Sequence, residues 1–241
     1  MSVTVTPVGT DTDLTAFIRL PYDLYRDDPL WVAPLERERR SFLDPARNPY
    51  HRVARVRLFL ARRHGTVVGR IAAIVDPRYN ERHGPDRGLI GLFECDDDPE
   101  AAAALFDTAD GWLAAQGMTR TLGPLGFTTN DECGVQISGF DQPHIVMIPR
   151  NRPYYPRLFS VCGFEKAKDL ISYAIPIPAD GEPRRNTVKP RTASSRPRDS
   201  RSGRWTRSGR KPIWRASGTS TTKRSPTATV RFPSTKRSSA T

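Results

Sequence analysis

Residues 88–117, GLIGLFECDDDPEAAAALFDTADGWLAAQG, hold a strand, a turn and a helix in one run. The apolar segment from Leu89 to Cys95 has the length and makeup of a buried strand. Three acids, Asp96 to Asp98, precede Pro99. A carboxylate can accept from the free N–H groups that open a helix, and proline fits the first helical position. From Glu100 onward Ala101, Ala102, Leu105, Phe106, Ala109, Trp112 and Leu113 form one apolar stripe at helical spacing. Gly117 stands where a left-handed cap belongs. With Thr119–Gly123 resuming as a strand, the run is a βαβ unit, and ligands tend to sit at the carboxyl ends of such strands.

Charge divides the chain. Its 241 residues carry a formal net charge of +12. Residues 182–241 hold 17 Lys+Arg against 2 Asp+Glu, so residues 1–181 are left slightly acidic at −3. Body and tail are therefore read separately. Cys95, Cys133 and Cys162 are far apart and lack metal spacing, and the four histidines are scattered. No metal site is expected. An odd cysteine count with no signal peptide suits a reducing cytoplasm. No apolar run approaches the ~20 residues that cross a bilayer, so no membrane partner is expected. G-x-S-x-G, P-loop and G-x-G-x-x-G motifs are all absent.

Outward from the central unit, Val3–Val8 alternates as a first strand. Thr12 or Asp13 is placed to cap a helix with Leu14, Phe17 and Ile18 on one side, interrupted by Pro21. A second helical piece follows at Tyr22–Arg26, and Trp31 plugs the core from a proline-rich segment. A short helix spans Leu35–Leu43. Arg55–Ala61 and Val67–Val75 make a hairpin around His64-Gly65, and the nearly all-apolar second strand belongs at the centre of a sheet. Gly69 marks a bulge or a close backbone approach. Asp76–Arg87 reads as a polar loop, Ile145–Ile148 as a short strand, Pro153–Cys162 as a helix, and Leu170–Ile177 as the last strand. This is an α/β or α+β three-layer domain over residues 1–180.

The order of elements resembles the GNAT superfamily of acyl-CoA-dependent N-acyltransferases over roughly residues 3–177. The segments LFLARRHGTVVGRIAAIVD (58–76), GLFECDDDPEAAAALFDTADGWL (91–113), GPLGFTTNDECG (123–134) and NRPYYPRLFSVCGFEKAKDL (151–170) are similar to those of an uncharacterised bacterial group of GNAT-like proteins. The resemblance implies a mixed, mostly antiparallel sheet with helices on both faces. It also implies transfer of an acyl group from acetyl-CoA or another acyl-CoA to the amine of a small molecule. Two positions depart from the superfamily pattern. A basic, glycine-rich turn normally cradles the coenzyme's pyrophosphate, but here Cys95-Asp96-Asp97-Asp98-Pro99 stands in its place. At ~4 Å and an effective dielectric near 20, each like-charge contact with a phosphate costs on the order of 4 kcal/mol before screening. The tyrosine expected four residues before the late Gly-Phe is Phe159, one turn after Tyr155.

Candidate site residues follow from these positions. Glu94 ends the central strand, where some superfamily members hold a general base; the alternative is a solvated strand end. Tyr155 is the candidate general acid in place of Phe159, or else a core tyrosine with a satisfied hydroxyl. Asn130, Asp131 and Glu132 lie in a glycine-rich loop suited to hold an amine or another polar substrate, or form a simple turn. Asn151 is a further substrate contact or the cap of the late helix. Tyr79, Asn80, Glu81 and His83 sit in the preceding loop, where a lone histidine is more often structural. Cys95 has no neighbouring base in sequence to activate it. Two other classes stay open: a non-catalytic GNAT-like binding module with a degenerate coenzyme A site, and a nucleic-acid binder working through the basic tail alone.

From residue 182 the composition changes: 21 of 60 residues are Ser or Thr, and apolar periodicity is lost. Such a segment buries too little to offset its ordering entropy and is expected to be disordered over 181–241 without packing on the body. The body's 19 Arg against 2 Lys indicate a GC-rich gene, and the tail's Arg, Ser, Thr and Pro are what such a gene yields out of frame. A frameshift or truncation is therefore expected ahead of a genuine basic arm.

Overall fold

The computed structural model describes residues 2–172 and the backbone of 201–207. Strands β1 (Thr4–Pro7), β2 (Arg55–Arg63), β3 (Thr66–Val75), β4 (Arg87–Cys95) and β5 (Arg120–Leu125) lie side by side in that order. All neighbours are antiparallel except β4 and β5, which run parallel. The parallel pair is joined by α4 (Pro99–Ala115), so the βαβ reading of the central stretch holds. Helices α1 (Asp11–Leu24) and α2 (Glu36–Leu43) cover one face, and α4 with α5 (Tyr155–Val161) covers the other.

Strand alternation places the core. Ile71, Ala73 and Ile90 point toward Leu105 and Phe106 of α4, whereas Ala72, Ile74 and Leu89 pack with Phe17 and Ile18 of α1. Buried on both faces, β3 has no room for polar alternation, which explains its continuous apolar run. The exception is Arg70, only 9% exposed. The hairpin turns through His64 and Gly65, both at positive φ, which suits the right-handed twist of its strands. Gly69 sits beside the expected bulge, where the β2–β3 register shifts; a Cβ there would lie 2.7 Å from Leu105 Cδ1, a side chain, and 3.3 Å from Glu94 O.

Several local expectations are corrected. Thr10, not Thr12 or Asp13, caps α1; its hydroxyl accepts from Asp13 N while Asp13 returns a bond to Thr10 N. Pro21 does not interrupt the helix, because the bond it forfeits is replaced from outside. Proline lacks the N–H that would reach the Phe17 carbonyl, and Arg70 Nη1 donates to that carbonyl at 2.6 Å. The loop after β3 contains α3 (Pro77–His83), capped by Asp76 with Pro77 at its first position. Ile145–Ile148 is no strand. Pro143 and Pro149 flank it, and the side chains of Ile145, Val146 and Met147 are exposed. The late helix begins at Tyr155, two residues after its expected start, and is followed by β7 (Phe164–Ile171), which includes the first two residues of the expected last strand; residues 173–177 of that strand lie outside the described residues.

Three further strands complete the sheet. β6 (Val135–Gln136) and β7 both pair with β8 (Arg201–Arg207), which also pairs antiparallel with β5. For these seven residues the expectation of a tail without packing is corrected. Ladder bonds use main-chain groups that every non-proline residue carries, so a segment without apolar periodicity can still fill a place between two strands. The remainder of 181–241 lies outside the described residues.

The acidic turn is a self-contained cap. Asp98 Oδ1 accepts from Glu100 N and Ala101 N at 3.0 and 3.1 Å, and Arg63 Nη2 bridges Asp98 and Glu100 at 2.7 Å each. Replacing Asp98 by Ala should lower stability by about 1–2 kcal/mol through the lost cap. Asn, an equally good cap, should recover most of that loss. Urea unfolding of the three proteins measures it, and an unchanged midpoint for Asp98→Ala would refute the assignment.

Candidate functional site

Beyond Gly91 and Leu125, the last registered pair, β4 and β5 part. Just before that point they nearly touch: a Cβ on Gly91 would lie 1.7 Å from Leu125 O. Leu92 then takes a left-handed backbone conformation (φ 49°), and the β3–β4 register gains a residue on the β4 side. This bulge sets Glu94 opposite Arg70 across the ladder. The parting leaves the Cys95 main chain without a β5 partner, and two tyrosines supply what is missing. Tyr155 Oη accepts from Cys95 N at 3.0 Å, and Tyr154 Oη donates to Cys95 O at 2.8 Å.

A cleft of about 740 Å³ opens at the parted strands. Glu94, Asn130, Asp131, Glu132 and Asn151 all line it, so five of the six expected site residues meet in one place. Tyr155 stands behind the wall, 1% exposed, and reaches the site through Glu94. Glu94 Oε2 accepts from Tyr155 Oη at 2.6 Å and from Tyr25 Oη at 2.9 Å. Glu94 Oε1 faces Arg70 Nη2 at 4.0 Å. Burial pushes the Glu94 carboxyl above the ordinary glutamate range, against the downward pull of Arg70 and the two hydroxyls. Burial likewise holds Tyr155 and Tyr25 well above the usual phenol value, and the Glu94 charge adds to it.

The polar loop has an internal organiser. Asp131 Oδ2 accepts from Phe127 N, Thr128 N and Thr128 Oγ1 at 3.1, 2.7 and 2.9 Å. Glu132 lies 3.5 Å from Arg39 Nη2, which ties the loop to α2. Asn151 does not cap α5. It exchanges bonds with Gln136, accepting from the Gln136 N–H at 2.9 Å. Cys95 is buried, and burial raises its thiol far from the thiolate range. Among the described residues, no group of three or more His, Cys, Asp or Glu is placed to hold a metal.

Sequence reasoning missed Arg70, Tyr25 and the Arg150–Asp28 pair. The signal for Arg70 was present, as a lone charge inside an apolar strand. Tyr25 carried none, because its partner lies 69 positions away. Arg150 forks onto Asp28 with two 2.8 Å bonds and also donates to the carbonyls of Gln142 and Phe140. This buried pair ties the two loops that form the mouth of the cleft.

The coenzyme A pyrophosphate does not fit the turn that opens α4. Its first N–H groups are occupied by Asp98, Pro99 has none, and Asp97 pairs with Arg157. Burial and the Asp98 charge raise the Asp96 carboxyl, a sign that this pocket already disfavours negative charge. Nor are the Cys95 edge groups open to a ligand, since both tyrosine hydroxyls hold them.

Gly91→Ala should force the parallel strands apart and cost more than 2 kcal/mol, the scale of overpacking in a rigid core. Thermal unfolding checks it, and a melting temperature within a degree of the parent would show that the close approach is not required.

No family model matches the chain. It is 40% identical over 161 residues to protein YghO of Escherichia coli K12, covering 67% of this chain and 41% of YghO. It is 39% identical over 174 residues to the bacterial ceramide synthase of Caulobacter vibrioides, covering 71% of this chain and 45% of that protein. The chain thus spans less than half the length of the curated relatives it matches. Among solved structures, a tandem GNAT protein from the clavulanic acid biosynthesis pathway aligns over 70% of this chain and 47% of its own, with a TM-score of 0.48 and 13% identity. That likeness is too distant to bear on activity. Its element order, its antiparallel β1–β4 and its parallel β4–β5 pair joined by α4 are the arrangement that the resemblance to GNAT-like proteins implies.

Proposed function

We propose that the cleft is the acceptor site of an N-acyltransferase whose substrate is a primary amine bearing an apolar tail. The observation that carries this reading is Glu94, a partly buried carboxylate at the cleft wall with one oxygen fixed by two tyrosine hydroxyls and the other facing Arg70. A carboxyl held above its ordinary value is suited to take a proton from an ammonium group near neutral pH. The apolar tail is supported by the cleft's other walls, which include Trp31, Leu35, Phe42 and Leu125. It is also supported by the name of one relative, since a ceramide is the amide of a long-chain amino alcohol.

In this reading Glu94 Oε1 accepts the proton from the bound ammonium. The neutral nitrogen then has the lone pair to form the amide C–N bond with an acyl carbon, whose bond to its leaving group would break as the nitrogen's surplus proton departs with that group. Asn130 and Glu132 hold the amine and its polar substituents, and Asn151 steadies that wall through Gln136. Tyr155 acts as a positioning residue rather than as the acid, because its hydroxyl is already engaged by Glu94 and the Cys95 N–H. Acetyl-CoA or another acyl-CoA remains the donor class the resemblance implies. The α4 turn, its first N–H groups taken by Asp98, does not fit that donor's pyrophosphate.

The test is product formation from a long-chain amino alcohol and an acyl-CoA, read by mass spectrometry. Activity should rise with pH as Glu94 loses its proton, and Glu94→Gln should abolish that limb together with at least 99% of turnover. Tyr155→Phe removes a donor that stabilises the ionised carboxylate, so the limb should move upward in pH. An unmoved limb would detach Tyr155 from Glu94. The acidic turn favours a second reading, a domain that binds the amine without catalysis. Amine binding by calorimetry with no N-acyl product would establish it.

A further inference from the structure

We propose that the mouth of the cleft docks on a lipid bilayer, with the two loops that frame it inserted among the acyl chains. The inference rests on the acceptor-site reading above and adds where the amine comes from. Of the large apolar side chains that the described residues leave exposed, five lie on these two loops: Val32, Leu35, Ile145, Val146 and Met147. Val146 is 85% exposed and Leu35 72%. Four of the five also line the cleft, so the outer apolar surface is continuous with the inner one.

The lips are held rather than loose. Arg150 and Asp28 join their bases through a buried forked pair. His144 N donates to Leu30 O at 3.0 Å, and the His144 ring spans Val32 N and Ile148 O. Trp31 stacks on Tyr25 with centroids 5.2 Å apart, rooting the first lip beside Glu94's own hydrogen-bond partner. Met147 sits at positive φ (65°), a conformation uncommon for a residue with a Cβ, at the tip of the second lip.

The shape selects the occupant. Five protruding side chains offer on the order of 500 Å², short of the ~800 Å² per partner that a stable protein complex buries. They stand on irregular loops, with neither a free strand edge nor a helix groove to receive a peptide. Loop tips of this kind suit shallow insertion at a headgroup boundary. An amphiphilic amine would then raise its headgroup toward Glu94 with the near part of its tail along the cleft's apolar walls and the rest still in the bilayer. No helix among the described residues is long and apolar enough to span a membrane. The expectation of no membrane partner rested on the lack of a spanning segment, which leaves docking from one side open.

Sedimentation of the full chain with neutral phosphatidylcholine vesicles tests the proposal. Neutral lipid at about 0.5 M salt removes the attraction of the basic 182–241 segment for anionic headgroups. The parent should sediment with the vesicles. Val146→Asp and Leu35→Asp should each weaken partitioning roughly tenfold or more, from the lost burial of one apolar side chain and the added charge. Val161→Asp, at an exposed apolar residue on α5 that does not line the cleft, should change nothing. All three are surface changes, and an unaltered melting temperature confirms that each folds. Glu94→Gln should sediment like the parent, so docking is read whether or not acyl transfer is found. The proposal is overturned if the parent stays in the supernatant or if Val161→Asp is as damaging as the lip variants. It is also overturned if the parent forms an oligomer that Val146→Asp dissociates, which would make a second copy the occupant.

Discussion

The parting of β4 and β5 is the constraint from which the site follows. Two parallel strands that meet as closely as Gly91 and Leu125 can diverge only if the main-chain groups they abandon find other partners. An unpaired buried amide or carbonyl costs about 1–3 kcal/mol, so the divergence is stable only with replacements in place. Tyr154 and Tyr155 are those replacements, and they explain why α5 delivers two adjacent tyrosines to the end of β4. The Tyr155 hydroxyl serves twice: it accepts from Cys95 N and donates to Glu94. Repair of the sheet edge and orientation of the carboxylate are thus one interaction.

A second dependency runs through Pro21. A proline inside a helix normally weakens it by removing an N–H and crowding the preceding turn. Here the unclaimed Phe17 carbonyl accepts from Arg70, which is buried on β3 and stacked against the Phe17 ring at 4.8 Å. An isolated guanidinium at that depth would cost several kcal/mol, and neither the carbonyl nor the 4.0 Å approach to Glu94 would suffice alone. Together with the ring face they make the burial tolerable. Helix, strand and carboxylate are therefore coupled, so a change at Pro21 would be felt at Glu94 through the Phe17 carbonyl and Arg70.

The fold was legible where local pattern and burial agree. Continuous apolar character put β3 at the centre, the His64-Gly65 pair fixed the hairpin, and Asp98-Pro99 marked the start of α4. Expectations failed where a distant group decided the outcome. Pro21 reads as a break because nothing local shows that Arg70 will take the Phe17 carbonyl. Ile145–Ile148 reads as a strand because apolar runs are usually buried, yet two prolines and the His144 clasp turn it outward. β8 was invisible because main-chain pairing leaves no mark in composition. In the sequence, Glu94 and the Asn130–Glu132 loop stood out as candidates by their places at the ends of strands, and the fold brings them to one cleft. Tyr25 could not be found, since only the folded chain brings residue 25 to residue 94.

The acidic turn shows why architecture and chemistry must be argued separately in this chain. A helix N-terminus attracts anions through its free N–H groups and its dipole. In α4 the chain meets both demands internally: Asp98 accepts from the N–H groups, and Arg63 balances Asp98 and Glu100 in turn. The burial that would raise the Asp98 carboxyl is outweighed by those amides and by Arg63, so its charge persists at neutral pH. A phosphate arriving there would have to displace a covalently tethered carboxylate that suffers no loss of translational freedom. That competition favours the tethered group, and Asp96 and Asp97 add repulsion to it. The positive end of α4 is therefore closed to an external anion by local chemistry, whatever the fold around it has in common with others. What stays open is the opposite face of the same strand end, where Glu94 and Arg70 meet a cleft with apolar walls. The polar chemistry of the domain is concentrated on that side.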